Sequence, residues 1–152
     1  MTLTRERGPG GNEVARSRGT AVVCGASIAG LLAARVLSDF YENVTVVERD
    51  VLPNAAAQRR GVAHGRHLHM LLARGTSEFS ELLPGLLDDL ADDGAQVLDG
   101  SDPSLFYLQV GERVMRVAGT FTRPDELVIL LASRPLLEAH VRRRGAMIRT
   151  CG

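Results

Sequence analysis

The sequence predicts an α/β fold that opens as strand, turn, helix and strand. Three observations predict it. Ala21, Val22, Val23 and Cys24 form a short apolar run that stops at Gly25, the pattern of a buried parallel strand rather than an amphipathic one. Ile28, Leu31, Leu32, Val36 and Leu37 then recur at helical spacing among several alanines. Asn43 to Glu48 (NVTVVE) is rich in β-branched residues and reads as a second strand. Together they make the opening of a βαβ unit.

The flanking elements follow from the same rules. Residues 1–19 are rich in Gly and polar side chains with little to bury, so they are expected to be a disordered leader, and the domain to span residues 20–152. After Asp50 no further helix and strand arrive on schedule. Pro53 to Gly65 reads as loop, and Leu68, Leu71, Leu72, Phe79, Leu82 and Leu83 then mark an inserted helical stretch with Gly75 as a break. Pro84 starts a second short helix that Gly94 terminates. Leu105 to Val110 and Arg113 to Val117 form a β-hairpin around Gly111-Glu112, at about residues 104–118. Leu127 to Leu131 is apolar but too short to type. Arg134 to Arg144 is a helix, with Pro135 near its first turn and three Arg in its last.

Composition narrows the function. A chain of 152 residues with 45% apolar side chains is one globular domain that needs no disulfide or metal to fold. It shows no apolar run long enough for a membrane span and no signal-peptide core, so a cytoplasmic protein is expected. Cys24 and Cys151 lie far apart, which argues against a disulfide framework, and Cys24, at the end of a buried strand, is expected to behave as a small hydrophobe. The absence of Trp and a net charge of zero argue against nucleic acid as a partner. Charge is nonetheless segregated. Residues 49–74 and 134–149 are basic, and residues 78–102 carry eight acids and no base. These are either solvated faces or two basic stretches that converge on a polyanion such as a pyrophosphate. Within the acidic stretch Leu86, Leu87, Leu90 and Val97 are expected to turn inward.

Gly25-Ala26-Ser27-Ile28-Ala29-Gly30 lies between a strand and a helix, the setting in which a G-x-G-x-x-G pattern marks a Rossmann-like dinucleotide site. Gly25 supplies the tight turn and Gly30 the close helix–strand packing. Ser27 stands where the middle glycine admits the pyrophosphate, and its small hydroxymethyl is able to donate to phosphate. In such a site the N–H groups of the first helical turn are expected to hold a phosphate. Glu48, 18 residues after Gly30, is placed to accept hydrogen bonds from an adenosine ribose, which favours FAD or NAD over NADP. The competing reading is a turn that merely packs.

AVVCGASIAGLLAARVLSDFYENVTVVERD resembles the N-terminal FAD-binding segment of the p-hydroxybenzoate-hydroxylase-like flavoproteins, a family of aromatic hydroxylases, epoxidases, reductases and halogenases. RRGVAHGRHLHMLLARG resembles the loop and helix that follow in a bacterial subgroup, with Ala63-His64 where Pro-Gln is common, and SRPLLEAHVRRR resembles a family helix whose leading Arg contacts the flavin nucleotide. The resemblance implies that Gly25, Ala26, Ser27 and Gly30 hold the pyrophosphate, Glu48 and Arg49 the adenosine end, Arg60 and His67 the pyrophosphate or flavin edge, and Arg134 the phosphate or ribityl region. It further implies a strand from near Gly145, Asp-Gly and Gly-Asp motifs beyond Gly152, and hence a partial FAD-binding domain, incomplete relative to the family fold, whose hairpin belongs to the substrate-domain sheet.

The implied chemistry is oxygenation. NAD(P)H reduces FAD, O₂ adds to the reduced flavin, and one oxygen atom passes to a small aromatic or olefinic substrate. The alternatives are a truncated, catalytically inactive flavoprotein fragment and an NAD-dependent dehydrogenase or reductase module. The missing helix and strand after Asp50 and the absence of Lys count against the latter. Metal binding by His64, His67 and His69 is not expected, because no Cys, Asp or Glu lies within their cluster. His140 is expected to be structural, and Arg142-Arg143-Arg144 to offset the helix dipole. An open sheet edge is expected to favour self-association.

Overall fold

The structure, a computed structural model, describes residues 2–4, 17–105, 107, 109–114 and 118–147. In chain order the elements are β1 (Thr2–Thr4), β2 (Ser17–Cys24), α1 (Ile28–Leu37), β3 (Tyr41–Val47), β4 (Leu68–Leu71), α2 (Ala73–Leu82), α3 (Leu86–Asp92), β5 (Gln96–Leu98), β6 (Gln109–Val110), β7 (Arg113–Val114), β8 (Ile129–Ser133) and α4 (Arg134–Met147). Helices and strands mix along the chain as an α/β fold requires. They fall into two compact units, one of residues 1–67 and 134–152, the other of residues 68–133.

The first unit is built on the expected strand, helix and strand. β2 and β3 pair in parallel, with Ala21 opposite Val44 and Val23 opposite Val46, and α1 makes the crossover between them. Val44 and Val46 are buried together with Ile28, Leu31 and Ala34 of α1, and α4 packs on α1 through the same unit. Of the apolar residues that mark α1 in the sequence, Ile28 and Leu31 are buried and Val36 is exposed.

Four expectations change here. β2 starts at Ser17 rather than Thr20, and Thr2–Thr4 adds antiparallel to the other side of β3, so part of the stretch read as a leader joins the sheet. The edge of β3 offers unpaired N–H and C=O groups, and pairing outweighs the weak strand preference of these residues. Residues 5–16 lie outside the described residues. Cys24 is exposed, as are Val22 and Val47 on the same face of the sheet. α4 continues through Gly145 to Met147, where the family likeness implies a strand beginning. Arg142 consequently sits inside the helix, where its Nη2 donates to the Pro53 carbonyl at 3.0 Å instead of capping the helix end.

The second unit holds a three-stranded antiparallel sheet in the order β4-β8-β5. Leu68–Leu71, read as the start of a helix, is a strand because Met70 pairs with Leu131 of β8, and this distant ladder overrides the helical preference of leucine. β8 is the apolar run that was too short to type, and β5 is a strand within the acidic stretch. α2 runs through Gly75 without breaking. α3 ends as expected at Gly94, whose φ of 95° lets the Ala95 N–H reach back to the Leu90 carbonyl at 2.8 Å. Phe79, Leu83, Leu86, Leu90 and Leu130 are buried, whereas Val97 is exposed and not turned inward. The hairpin is present but short. Gly111, at φ 62°, takes the first turn position, as a type II′ turn requires, and residues 106, 108 and 115–117 lie outside the described residues.

Candidate nucleotide site

The turn after β2 is shaped by its two glycines. Gly25 has φ 99°, a conformation that side chains resist, and its N–H extends the parallel ladder by donating to the Val47 carbonyl at 2.7 Å. Gly30 lies directly over it. A Cβ at Gly30 would stand 2.0 Å from the Gly25 carbonyl oxygen. Ser27 is the N-cap of α1 in extended conformation, and its side chain makes no capping bond. The first helical bond runs from the Leu31 N–H to the Ser27 carbonyl, so the N–H groups of Ile28, Ala29 and Gly30 have no intrahelical acceptor. An anion at this end would meet those donors and the positive pole of the helix.

Glu48 stands one residue past β3 and faces this turn. Its Oε2 accepts the buried Ala26 N–H at 2.7 Å and Arg59 Nη1 at 3.2 Å, and its Oε1 accepts the Asp50 N–H at 3.0 Å. The Ala26 N–H above all, then the Asp50 N–H, with Arg59 adding to them against the opposing effect of burial, hold the Glu48 carboxyl down to about 2. The acid is therefore ionised at every physiological pH. Because its pKa is lowered on folding, its contribution to stability is fully present above the ordinary value of 4.5 and is lost as pH falls through about 2. That contribution is on the order of 3 kcal/mol. Urea midpoints measured from pH 6 down to pH 2 should fall more steeply for the wild type than for Glu48→Gln. Parallel curves would contradict the assignment.

Arg59 is 5% exposed and Glu138 3%. Glu138, on the inner side of α4, takes Arg59 Nε at 3.1 Å and Nη2 at 2.8 Å, a bidentate pair. Arg59 Nη2 also reaches the Ala26 carbonyl at 3.4 Å, and Nη1 lies 4.0 Å from Asp50 Oδ2. The Glu138 hydrogen bond is the main reason that the Arg59 guanidinium is held more strongly protonated than usual. Asp50 in turn accepts the Gly61 N–H at 3.2 Å, which ties the loop after β3 to the same cluster.

Of the residues singled out by sequence, Gly25, Ala26, Ser27, Gly30 and Glu48 come together. The Arg49 side chain is 83% exposed and 3.9 Å from Asp50, and Arg60 is exposed beside the buried Arg59. His67 is exposed at the end of a short 3-10 turn, its ring edge-on to His64 at 5.7 Å. Arg134 opens α4, half-buried, four residues before Glu138. Arg59 and Glu138 were missed as site residues. The available signal was Glu138 itself, an acid flanked by Leu137 and Ala139 on a helix that also buries Val141 and His140.

No family model matches the chain. It is 52% identical over 124 residues to Protein Rv3254 of Mycobacterium tuberculosis (strain ATCC 25618 / H37Rv), a match that covers 82% of this chain and 26% of that protein. Among solved structures it is similar to a mutant of 2-methyl-3-hydroxypyridine-5-carboxylic acid oxygenase, with a TM-score of 0.53 and 21% identity over 87% of this chain and 30% of the oxygenase. The chain thus spans about a quarter of the curated relative and less than a third of the oxygenase, and it shares the fold of part of that oxygenase.

Proposed function

We propose that the chain is the Rossmann-like FAD-binding module of a flavoprotein monooxygenase. One observation carries the reading: the Glu48 carboxylate is fixed 2.7 Å from the Ala26 N–H, at the mouth of a glycine turn that opens on the free N–H groups of α1. An anion receptor and a sugar-hydroxyl acceptor side by side fit an adenosine diphosphate moiety. The residues fit FAD in kind. Gly25 and Gly30 allow the backbone turn, the uncapped Ser27 hydroxyl and the first turn of α1 offer donors to a pyrophosphate, and the ionised Glu48 offers its oxygen to a ribose hydroxyl. Negative charge at Glu48 disfavours a 2′-phosphorylated ribose.

When bound, the flavin supplies the redox chemistry, with NAD(P)H as reductant and a small aromatic or olefinic molecule as oxygen acceptor. This chain's part is to bind and orient the adenosine half. The oxygenase likeness favours this reading over an NAD-dependent dehydrogenase, as does the antiparallel sheet that follows β3 in place of further parallel strands. The test is the visible spectrum of the purified chain after incubation with FAD and gel filtration. The wild type should retain a flavin band, and Glu48→Ala should weaken binding about tenfold or more, as expected for losing a charge-assisted hydrogen bond. A wild type that retains neither FAD nor NAD would sink the proposal.

A further inference from the structure

The buried pair Arg59–Glu138 remains without a task in the site as described. A buried ion pair is a poor stabiliser in itself, since two well-packed apolar side chains often do as well. What distinguishes this pair is what the guanidinium touches. Arg59 Nη1 donates to Glu48 Oε2 and Nη2 to the Ala26 carbonyl, so one side chain binds both partners of the Ala26–Glu48 hydrogen bond. Its other side is locked by the two Glu138 oxygens. A rigid planar fork suits that geometry, and a lysine ammonium does not.

Acceptor capacity sharpens the point. An ionised carboxylate has about four lone-pair sites. Glu48 Oε2 spends both of its sites on Ala26 and Arg59, and Oε1 spends one on Asp50. One site on Oε1 is left.

We propose that Arg59, clamped by Glu138 from α4, is the positioning residue of the nucleotide site: it holds Glu48 Oε2 on the Ala26 N–H and leaves Oε1 to accept a single sugar hydroxyl of an adenosine nucleotide. The ligand half of this inference rests on the FAD reading above. Arg59 does not touch the ligand itself; it acts through Glu48.

The test uses the full chain with Glu138→Gln and Arg59→Lys. Gln places an NH₂ group where Arg59 needs an acceptor, and Lys cannot span Glu138 and Glu48 together. FAD and ADP are the probes, by fluorescence quenching and calorimetry. The second readout is the Ala26 backbone amide, followed by its ¹H–¹⁵N shift and hydrogen exchange without ligand. Both variants should bind FAD and ADP about tenfold more weakly, the effect of releasing one charge-assisted contact. Both should also exchange the Ala26 amide faster while the α4 amides stay protected. A role confined to joining the loop to α4 would leave Ala26 unmoved. Folded variants with wild-type affinity and a wild-type Ala26 amide overturn the proposal while the FAD reading stands. A wild type that binds neither probe overturns the FAD reading and the ligand half, and an Ala26 amide loosened in the variants then still assigns Arg59 to Glu48. If Glu138→Gln does not fold, Arg59→Lys, which keeps the charge, carries both readouts.

Discussion

Gly30→Ala is expected to destabilise the chain by about 3 kcal/mol, at the upper end of the range for overpacking in a tight site. The new methyl carbon would stand 2.0 Å from the Gly25 carbonyl oxygen and 3.5 Å from Val23 Cγ1. No flexible side chain can give way, because the close contact is with backbone. That backbone is itself fixed by the Gly25 N–H bond to Val47 and by a φ of 99°. At this chain length such a loss lowers the melting temperature by roughly 6–12 °C. Gly145→Ala is the internal control. A Cβ there meets nothing within 4 Å, and alanine in a helix interior gains up to about 1 kcal/mol over glycine. Thermal melts followed by circular dichroism should move in opposite directions, and a Gly30→Ala chain that melts with the wild type would refute the close approach of α1 to the turn.

Arg59→Met is expected to cost about 3–5 kcal/mol, the range for removing one partner of a buried ion pair. The loss comes chiefly from what remains. Glu138, at 3% exposure, would keep a carboxylate with its bidentate partner gone, and Glu48 would lose one of its three donors. Adding Glu138→Leu should recover most of the stability, since the double variant buries two apolar side chains in place of two charges. A cycle of the two single variants and the double, read by urea unfolding, should show coupling well above the roughly 0.5 kcal/mol expected of independent sites. Additive losses would mean that the pair is not buried as described. The recovered double variant would still lack the guanidinium on Glu48, so under the proposed FAD reading its stability should return while nucleotide binding does not.

The part of the candidate site built from neighbours in sequence was legible as a cluster; the part built across the fold was not. Gly25, Ser27, Gly30 and Glu48 fall within a single strand–helix–strand unit, where apolar spacing and glycine positions act over a few residues. Arg59 and Glu138 are 79 residues apart, and no local rule pairs them. Nor does sequence separate Arg59 from Arg60, since adjacent arginines differ only in which one the loop turns inward. The same reason hid β4 and β5. Leu68–Leu71 is apolar enough for helix or strand, and only β8, far along the chain, decides between them. Cys24 was misread for a related cause: an apolar run does not say which of its two faces is covered, and among the described residues Cys24, Val22 and Val47 are exposed together.

The 79 residues between Arg59 and Glu138 also set an order of events during synthesis. The second unit is one continuous stretch of chain, residues 68–133, inserted between the two halves of the first. At translation speeds of roughly 5–20 residues per second, Glu138 leaves the ribosome about 4–16 s after Arg59. The inserted unit is therefore fully exposed as sequence, and free to fold, while β2, α1 and β3 still await the helix that packs on α1. For those seconds the Arg59 guanidinium has Glu48 and Asp50 within its own nascent segment and lacks its strongest partner. The glycine turn is made before the inserted unit, and its lock only after it.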